Sequence, residues 1–133
     1  MMLRRPIKVN KIKYTIDSEH GLQKACVRRL RAHNFLCFCT DVFNGISFIK
    51  DLKAKAIYKT HMEQMGASKG QPDLIIIYNG GVTFVEFKFG QGKKSADQIA
   101  QCNLLESQGY EVLEWRQEQD CIDWIVKKLK LRN

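Results

Sequence analysis

Residues 70–98 read GQPDLIIIYNGGVTFVEFKFGQGKKSADQ and carry the clearest structural signal in the chain. Residues 74–78 are a short apolar run rich in β-branched side chains, and residues 82–89 are a second run. The Asn-Gly-Gly sequence at 79–81, between the two runs, is typical of a tight chain reversal. The pattern therefore predicts a β-hairpin. Its core face is expected to carry Val85, Phe87 and Phe89.

Three charged residues belong to this hairpin. Asp73 opens the first strand, and Glu86 and Lys88 lie two residues apart on the second, so their Cα atoms are roughly 7 Å apart on one face. Strand pairing is expected to bring Asp73 beside Glu86. A charge enters a protein core only when it is paired or bound to a metal, and a pair of carboxylates suits a hard cation such as Mg²⁺. The alternative is an edge hairpin on which Glu86 and Lys88 are solvated charges.

The motifs of this hairpin resemble those of a known nuclease family. Residues 72–73 (Pro-Asp) and 86–88 (Glu-Phe-Lys) are similar to the signature of the Pro-Asp…(Asp/Glu)-x-Lys, or PD-(D/E)XK, nuclease superfamily. The finer resemblance is to the virus-type replication-repair nucleases, the VRR-NUC family. Their pattern is Gly-x-Pro-Asp-apolar, then Glu-apolar-Lys, then Gly-basic-x-Ser-x-x-Gln, and the first and last segments correspond here to residues 70–74 and 92–98. Gln71 stands where the family usually has an apolar residue, and we expect it to leave the chemistry unaffected.

The resemblance implies a metal-dependent deoxyribonuclease. It implies that Asp73, Glu86 and the backbone carbonyl of Phe87 hold one or two Mg²⁺ or Mn²⁺ ions. In such enzymes the ion activates a water molecule and offsets the charge on the scissile phosphate. Lys88 is then expected to position that water or to stabilise the phosphate in the transition state.

Two residues in predicted helices extend the site. Glu19 and Gln23 match a glutamate and a later glutamine that family members carry in the first helix, which implies that Glu19 is a third acid at the metal. A surface glutamate favoured by the helix dipole is the alternative. Ser95 and Gln98 fit a capping box at the start of a later helix, which is sufficient to explain both residues. The resemblance adds to Gln98 a role in orienting water or substrate.

The basic composition favours a polyanionic partner, nucleic acid first. The 133 residues carry a formal charge of +8, from 22 Lys and Arg against 14 Asp and Glu. Basic ribosomal, membrane-surface and secreted proteins share this trait. Residues 1–16 are predicted to be a basic arm that either touches phosphates or is a frayed terminus or edge strand. The residues predicted to bind nucleic acid are Arg4, Arg5, Lys69, Lys93 and Lys94.

Hydropathy and cysteine usage point to an intracellular, cytoplasmic protein. Apolar runs stay well short of the ~20 residues of a membrane helix, and the N-terminal residues lack an apolar signal core. The five cysteines are odd in number and form no Cys-x-x-Cys pair. Cys37, Cys39 and His33 lack the spacing of a zinc knuckle, so buried thiols are expected.

The whole pattern predicts one α/β domain over residues 17–133. The expected order is helix, strand, helix, strand, strand, helix, strand and helix, which indicates a small mixed sheet flanked by helices. This agrees with the restriction-endonuclease-like fold that the resemblance implies. Outside the hairpin, the predicted elements are a helix capped by Asp17 or Ser18, strands at 35–43 and 110–115, and helices at 51–65, 95–108 and 118–131. Apolar residues predicted to face inward in the last two helices include Ile99, Leu104 and Val126.

Substrate and assembly follow from the resemblance alone. Short stand-alone members of the family are similar to Holliday junction resolvases and act as homodimers on branched DNA in replication, repair and recombination. A two-fold dimer suits such a substrate because two matched cuts need two sites. We therefore expect a homodimeric, structure-specific endonuclease, located in the host cytoplasm if the chain is phage-encoded. The alternatives are a nucleic-acid-binding module of the same fold that does not cut, and a restriction-type nuclease of duplex DNA.

Overall fold

The computed structural model describes residues 16–40, 46 and 48–131. In this part of the chain the helices and strands follow the predicted order, which is therefore confirmed. The elements are α1 (Glu19–Ala32), β1 (Leu36–Cys39), α2 (Leu52–Gln64), β2 (Leu74–Tyr78), β3 (Gly81–Phe87), α3 (Ala96–Ser107), β4 (Glu111–Trp115) and α4 (Glu118–Leu131).

The first two helices begin at residues whose side chains cap them. Ser18, rather than Asp17, caps α1, and its hydroxyl accepts a hydrogen bond from the backbone N–H of Gly21 at 3.0 Å. Asp51 caps α2 by accepting from the N–H of Lys53 at 3.1 Å. A side-chain oxygen at this position satisfies an N–H group that has no partner within the helix. Both starts are thus set by local sequence.

The sheet has four strands in the order β1-β2-β3-β4. β1 pairs antiparallel with β2, and β2 pairs antiparallel with β3 through the predicted hairpin. β4 runs parallel to β3, which requires a crossover connection, and α3 supplies it. The molecule is therefore a mixed α/β fold in which helices flank a small mixed sheet, as predicted.

One face of the sheet forms the hydrophobic core together with α1 and α4. Trp115 of β4 lies between Phe87 of β3 and Trp124 of α4, with ring centroids 5.9 and 6.0 Å away respectively. Burying a large apolar side chain of this kind contributes roughly 1.5–3 kcal/mol. Phe87 therefore anchors the end of β3, where its neighbours in the sequence are Glu86 and Lys88. The buried residues of α1 are Leu22, Ala25, Cys26 and Leu30.

The described elements cover the opposite face of the sheet only in part. α3 packs beside β4 on this face, whereas Leu36 and Phe38 of β1 and Ile77 of β2 are exposed there. Among the described elements, no Cα atom of α2 lies within 8 Å of a Cα atom in another helix or strand. None of the residues of α2 is buried. β1 and β2 thus present an exposed apolar surface on this face of the sheet.

Several predicted details are wrong. β1 runs from Leu36 to Cys39, Thr40 already lies beyond it, and residues 41–43 of the predicted strand lie outside the described residues. Cys39 is exposed rather than a buried thiol. β3 ends at Phe87, because a turn with Gly90 at φ 62° follows, and Phe89 is left outside the core. Some residues of α3 and α4 that were predicted to face the core lie instead on the outer sides of these helices, where no described element packs. The exposed residues there are Ile99, Leu104 and Val126.

Two further predictions concern the ends of the chain and its relation to membranes. The basic arm predicted for residues 1–16, including Arg4 and Arg5, lies outside the described residues except for Ile16. Within the described ranges, no helix combines the length and apolar character needed to cross a membrane.

Candidate active site

Asp73 lies at the entrance to β2 and is held against β3. The N–H of Thr40 donates to the carbonyl of Asp73 at 3.0 Å, which extends the pairing of β1 and β2 by one residue. The Asp73 carboxylate accepts a hydrogen bond from the N–H of Phe87 at 2.8 Å through Oδ2. The register of β2 and β3 sets Asp73 opposite Glu86. The predicted juxtaposition of these two acids is therefore confirmed.

Glu86 is a fully buried carboxyl group, with 0% of its surface exposed. Its Oε1 accepts a hydrogen bond from Nε2 of Gln98 at 2.8 Å, but its Oε2 receives none from any donor in the described part of the chain. Burial raises the pKa of Glu86 to about 8, and the adjacent Asp73 carboxyl adds to this through charge repulsion and hydrogen bonding. The solvated-edge alternative is thus wrong for Glu86, whose buried surroundings favour the protonated form of the carboxyl.

Two lysines place positive charge beside the acid pair. Lys88, one residue beyond β3, is only 6% exposed, and its N–H continues the parallel pairing by donating to Trp115 at 3.0 Å. Lys94 is half-buried at the approach to α3. The positive charges of Lys88 and Lys94 both act to lower the pKa of Glu86. Burial raises the pKa of the nearby Cys102 thiol, and Lys94 opposes that shift as well.

Gln98 has two structural roles at once. Its Oε1 accepts from the N–H of Ser95 at 2.8 Å, and its own N–H donates to the Ser95 hydroxyl at 3.2 Å, which completes the predicted capping box. Its Nε2 is then directed at Glu86. The cap therefore fixes the amide in the orientation that reaches the buried carboxyl, and the two explanations of Gln98 do not compete.

Glu19 lies near the site but apart from the acid pair. A Cβ placed on Gly92 would lie 3.8 Å from Oε2 of Glu19 and 3.8 Å from Cδ of Lys88, so Glu19 and Lys88 flank the same glycine. Glu19 is exposed in the first turn of α1. Its predicted companion Gln23 contacts Cys39 instead, with Nε2 3.7 Å from Sγ. In the ranges that the structure describes, no three His, Cys, Asp or Glu side chains are grouped closely enough to hold a metal ion.

The residues predicted to bind nucleic acid lie in different environments. Lys69 forms an exposed ion pair with Asp97, with Nζ 3.4 Å from Oδ2. Such surface pairs contribute little stability, so the ammonium group remains available to a phosphate. Lys93 is exposed on the loop before α3, whereas Lys94 turns toward Glu86. Arg4 and Arg5 lie outside the described residues.

Sequence reasoning recognised Gly70 only as part of a motif, yet it has a specific structural role. Gly70 has a φ of 83°, and a Cβ there would lie 2.4 Å from the carbonyl carbon of Asp97 and 2.7 Å from the nitrogen of Gln98. The loop before β2 therefore rests directly on the first turn of α3, where only a glycine fits. On the other side of this loop, Thr40 is hydrogen-bonded to Pro72 and to Gln71. Their contact had no signal in the sequence, because it joins residues far apart in the chain.

The structure thus brings Asp73, Glu86, Lys88 and Gln98 together and leaves Glu19 at the margin of the group. In comparisons with protein-family models, curated proteins and solved structures, nothing matches this chain. The similarity to the VRR-NUC family accordingly rests on the residues of the three sequence motifs alone.

Proposed function

We propose that this protein is a metal-dependent endodeoxyribonuclease with the restriction-endonuclease-like fold of the PD-(D/E)XK superfamily. The observation that carries the proposal is the fully buried carboxyl of Glu86 beside the carboxyl of Asp73. One oxygen of Glu86 receives no hydrogen bond from the described residues. Two adjacent acids, one of them fully buried, are costly in a structural core. The same arrangement is useful where a cation binds.

The donor set fits Mg²⁺ or Mn²⁺. Both cations prefer carboxylate and carbonyl oxygens. Asp73 and Glu86 are the residues that would hold the ion, together with the carbonyl of Phe87 and with Glu19 from α1. A divalent cation bound there lowers the pKa of a water molecule and offsets the charge on the scissile phosphate.

The chain's own side chains have separable tasks in this proposal. Lys88 carries a positive charge next to the acids and stabilises the charge that develops on the phosphate. Gln98 holds Oε1 of Glu86 through its amide, so the carboxyl keeps one orientation. Glu86 would hold a cation in its charged form, because a carboxylate binds cations far better than the neutral acid does.

The substrate in this proposal is branched DNA such as a four-way junction. The formal charge of +8 supports a nucleic-acid partner, and Lys93 and Lys94 lie on the loop that follows Lys88. Contacts of this kind bind phosphates without reading bases, so recognition rests on the shape of the DNA. The preference for a junction over a duplex is taken from the family resemblance.

A homodimer is part of the same proposal. Leu36 is 53% exposed and Phe38 52% exposed, and both lie on the open face of β1. Ile77 is the register partner of Leu36 and extends this face onto β2. Adjacent exposed apolar side chains of this size are typical of association surfaces. We therefore assign the face formed by Leu36, Phe38 and Ile77 to the contact with a second copy.

A cleavage assay tests the proposal and its substrate class. A labelled four-way junction and a linear duplex of the same sequence are incubated with the protein in Mg²⁺, Mn²⁺ or EDTA. The proposal predicts cleavage of the junction with either metal and none in EDTA. Equal cleavage of both DNAs indicates a duplex nuclease, and binding without cleavage under every condition indicates a catalytically silent module.

A further inference from the structure

Residue 71 is a position where the motif segments depart from the family pattern, and its side chain makes specific hydrogen bonds in the structure. We propose that Gln71 and Thr40 are positioning residues that fix Asp73 for the chemistry at the acid pair. This inference rests on the proposed function, because it concerns how the same site is held. It reverses the expectation that Gln71 leaves the chemistry unaffected.

All three hydrogen-bonding groups of Thr40 bind the segment that delivers Asp73. The backbone N–H of Thr40 donates to the carbonyl of Asp73 at 3.0 Å. Its hydroxyl donates to the carbonyl of Pro72, and its carbonyl accepts from Nε2 of Gln71. Thr40, which directly follows β1, is therefore hydrogen-bonded to three consecutive residues, Gln71, Pro72 and Asp73.

These hydrogen bonds between Thr40 and residues 71–73 form a clasp, and Gln71 completes it from the side of the loop. While Nε2 of Gln71 binds Thr40, its Oε1 accepts from the N–H of Ser68 at 2.9 Å. An apolar residue at position 71 can make neither contact. The amide is half-buried, so solvent replaces these hydrogen bonds only in part.

The clasp matters because the segment is held at both ends. On the other side, Gly70 rests on the first turn of α3, where the Gln98 amide binds Glu86. The segment from 70 to 73 thus bridges the end of β1 and the start of α3. Its position sets the Asp73 carboxylate relative to Glu86. Residues that orient metal ligands in this way commonly change metal affinity when they are replaced.

The backbone N–H of Phe87 reports on the position of Asp73 without metal or DNA. Its hydrogen-bond acceptor is Oδ2 of Asp73, so hydrogen exchange at Phe87 accelerates when the carboxylate moves away. The experiment measures amide exchange by NMR in two metal-free variants that keep side-chain size. Gln71→Met loses the contacts to Thr40 and Ser68, and Thr40→Val loses the hydroxyl contact to Pro72. Thr40→Ser retains the hydroxyl. Gln119→Met removes a comparable surface contact on α4, to Asp123.

Gln71→Met and Thr40→Val are expected to accelerate exchange at Phe87 by about threefold to tenfold, the effect of losing one hydrogen bond. Exchange at the other β3 amides should stay close to wild type. In the same two variants, calorimetry should show Mn²⁺ affinity reduced by about tenfold. Thr40→Ser and Gln119→Met should resemble the wild type in both measurements.

Two results overturn the inference. One is unchanged exchange at Phe87 in both Gln71→Met and Thr40→Val. The other is equal acceleration at every β2 and β3 amide, which means that the residues only stabilise the fold. If the wild-type protein itself binds no Mn²⁺, the proposed function fails instead, and the exchange data show separately whether the clasp holds Asp73.

Discussion

Nε2 of Gln98 lies 2.8 Å from Oε1 of Glu86, and this hydrogen bond joins the first turn of α3 to the buried carboxyl on β3. The same amide closes the capping box of α3 through Ser95. Gln98 therefore caps the start of α3 and also orients the buried acid on β3, so the geometry of the site depends on how the helix begins. Its two functions can be separated by mutation.

Gln98→Ala should destabilise the protein more than Ser95→Ala does. Ser95→Ala removes a helix cap, which costs about 1 kcal/mol. Gln98→Ala removes part of the cap and also leaves Glu86 without its donor, which adds about 1–3 kcal/mol. Denaturant unfolding of the two metal-free variants at pH 7 measures the difference. Equal losses in the two variants would show that the contact with Glu86 contributes nothing.

Gly70→Ala should be far more damaging than Gly80→Ala. Both glycines have positive φ, 83° and 76° respectively, so both substitutions incur backbone strain of about 1–2 kcal/mol. Only at Gly70 does the new Cβ meet backbone atoms, 2.4 Å from Asp97, whereas nothing lies within 4 Å at Gly80. Thermal unfolding of the two variants should place Gly70→Ala lower in Tm by at least about 4 °C. Similar Tm values would contradict the close approach of this loop to α3.

The stability of the metal-free protein should fall as the pH rises through neutrality because of Glu86. Its pKa is about 8 in the folded state against an ordinary value of 4.5, so between these limits the folded state binds more protons than the unfolded state. Stability from this group is fully present below pH 4.5 and is lost as the pH rises through 8, by up to about 1.4 kcal/mol per pH unit. Chemical unfolding from pH 5 to pH 9 should show this slope in the wild type and a shallower one in Glu86→Gln. Parallel curves for the two proteins would refute a protonated Glu86.

Phe38→Asp should weaken self-association, because it places a charge in the apolar face of β1. Sedimentation equilibrium of the wild type should give a dimer, and the variant should raise the dissociation constant by at least about tenfold. Leu131→Asp is a matched control, since Leu131 is an exposed apolar residue at the end of α4. A wild type that stays monomeric at every concentration, or a variant that dimerises equally well, would show that this face does not mediate self-association.

Local signals in the sequence were sufficient to predict the hairpin and the acids within it. The two apolar runs and the Asn-Gly-Gly turn specify the register of β2 and β3, and that register, continued by one residue, sets Asp73 opposite Glu86. The capping box predicted the start of α3 in the same way. Each of these features depends on residues within about a turn or a strand of one another, where propensity and spacing are informative.

Contacts between distant segments were not predictable in this way. Gln71 binds Thr40 across 31 positions of the chain, and Glu111 accepts hydrogen bonds from Thr83 and Trp124 although nothing in their spacing marks them as partners. Burial acts to raise the pKa of Glu111, but these two hydrogen bonds, with Lys128 nearby, bring it below its ordinary value. Such networks follow from how β1 pairs within the sheet and how α4 packs on it, which a single sequence does not specify.

The most direct test of the nuclease proposal is cleavage of a four-way junction by matched variants in Mn²⁺. The wild type should release metal-dependent products. Asp73→Asn, Glu86→Gln and Lys88→Ala should bind the junction with unchanged affinity and reduce the cleavage rate by at least about a hundredfold, since each removes a group that acts on the reacting phosphate or its cation. Gln119→Met should cut like the wild type. An absence of products from the wild type with either Mg²⁺ or Mn²⁺, or undiminished cleavage by Asp73→Asn, would contradict the account.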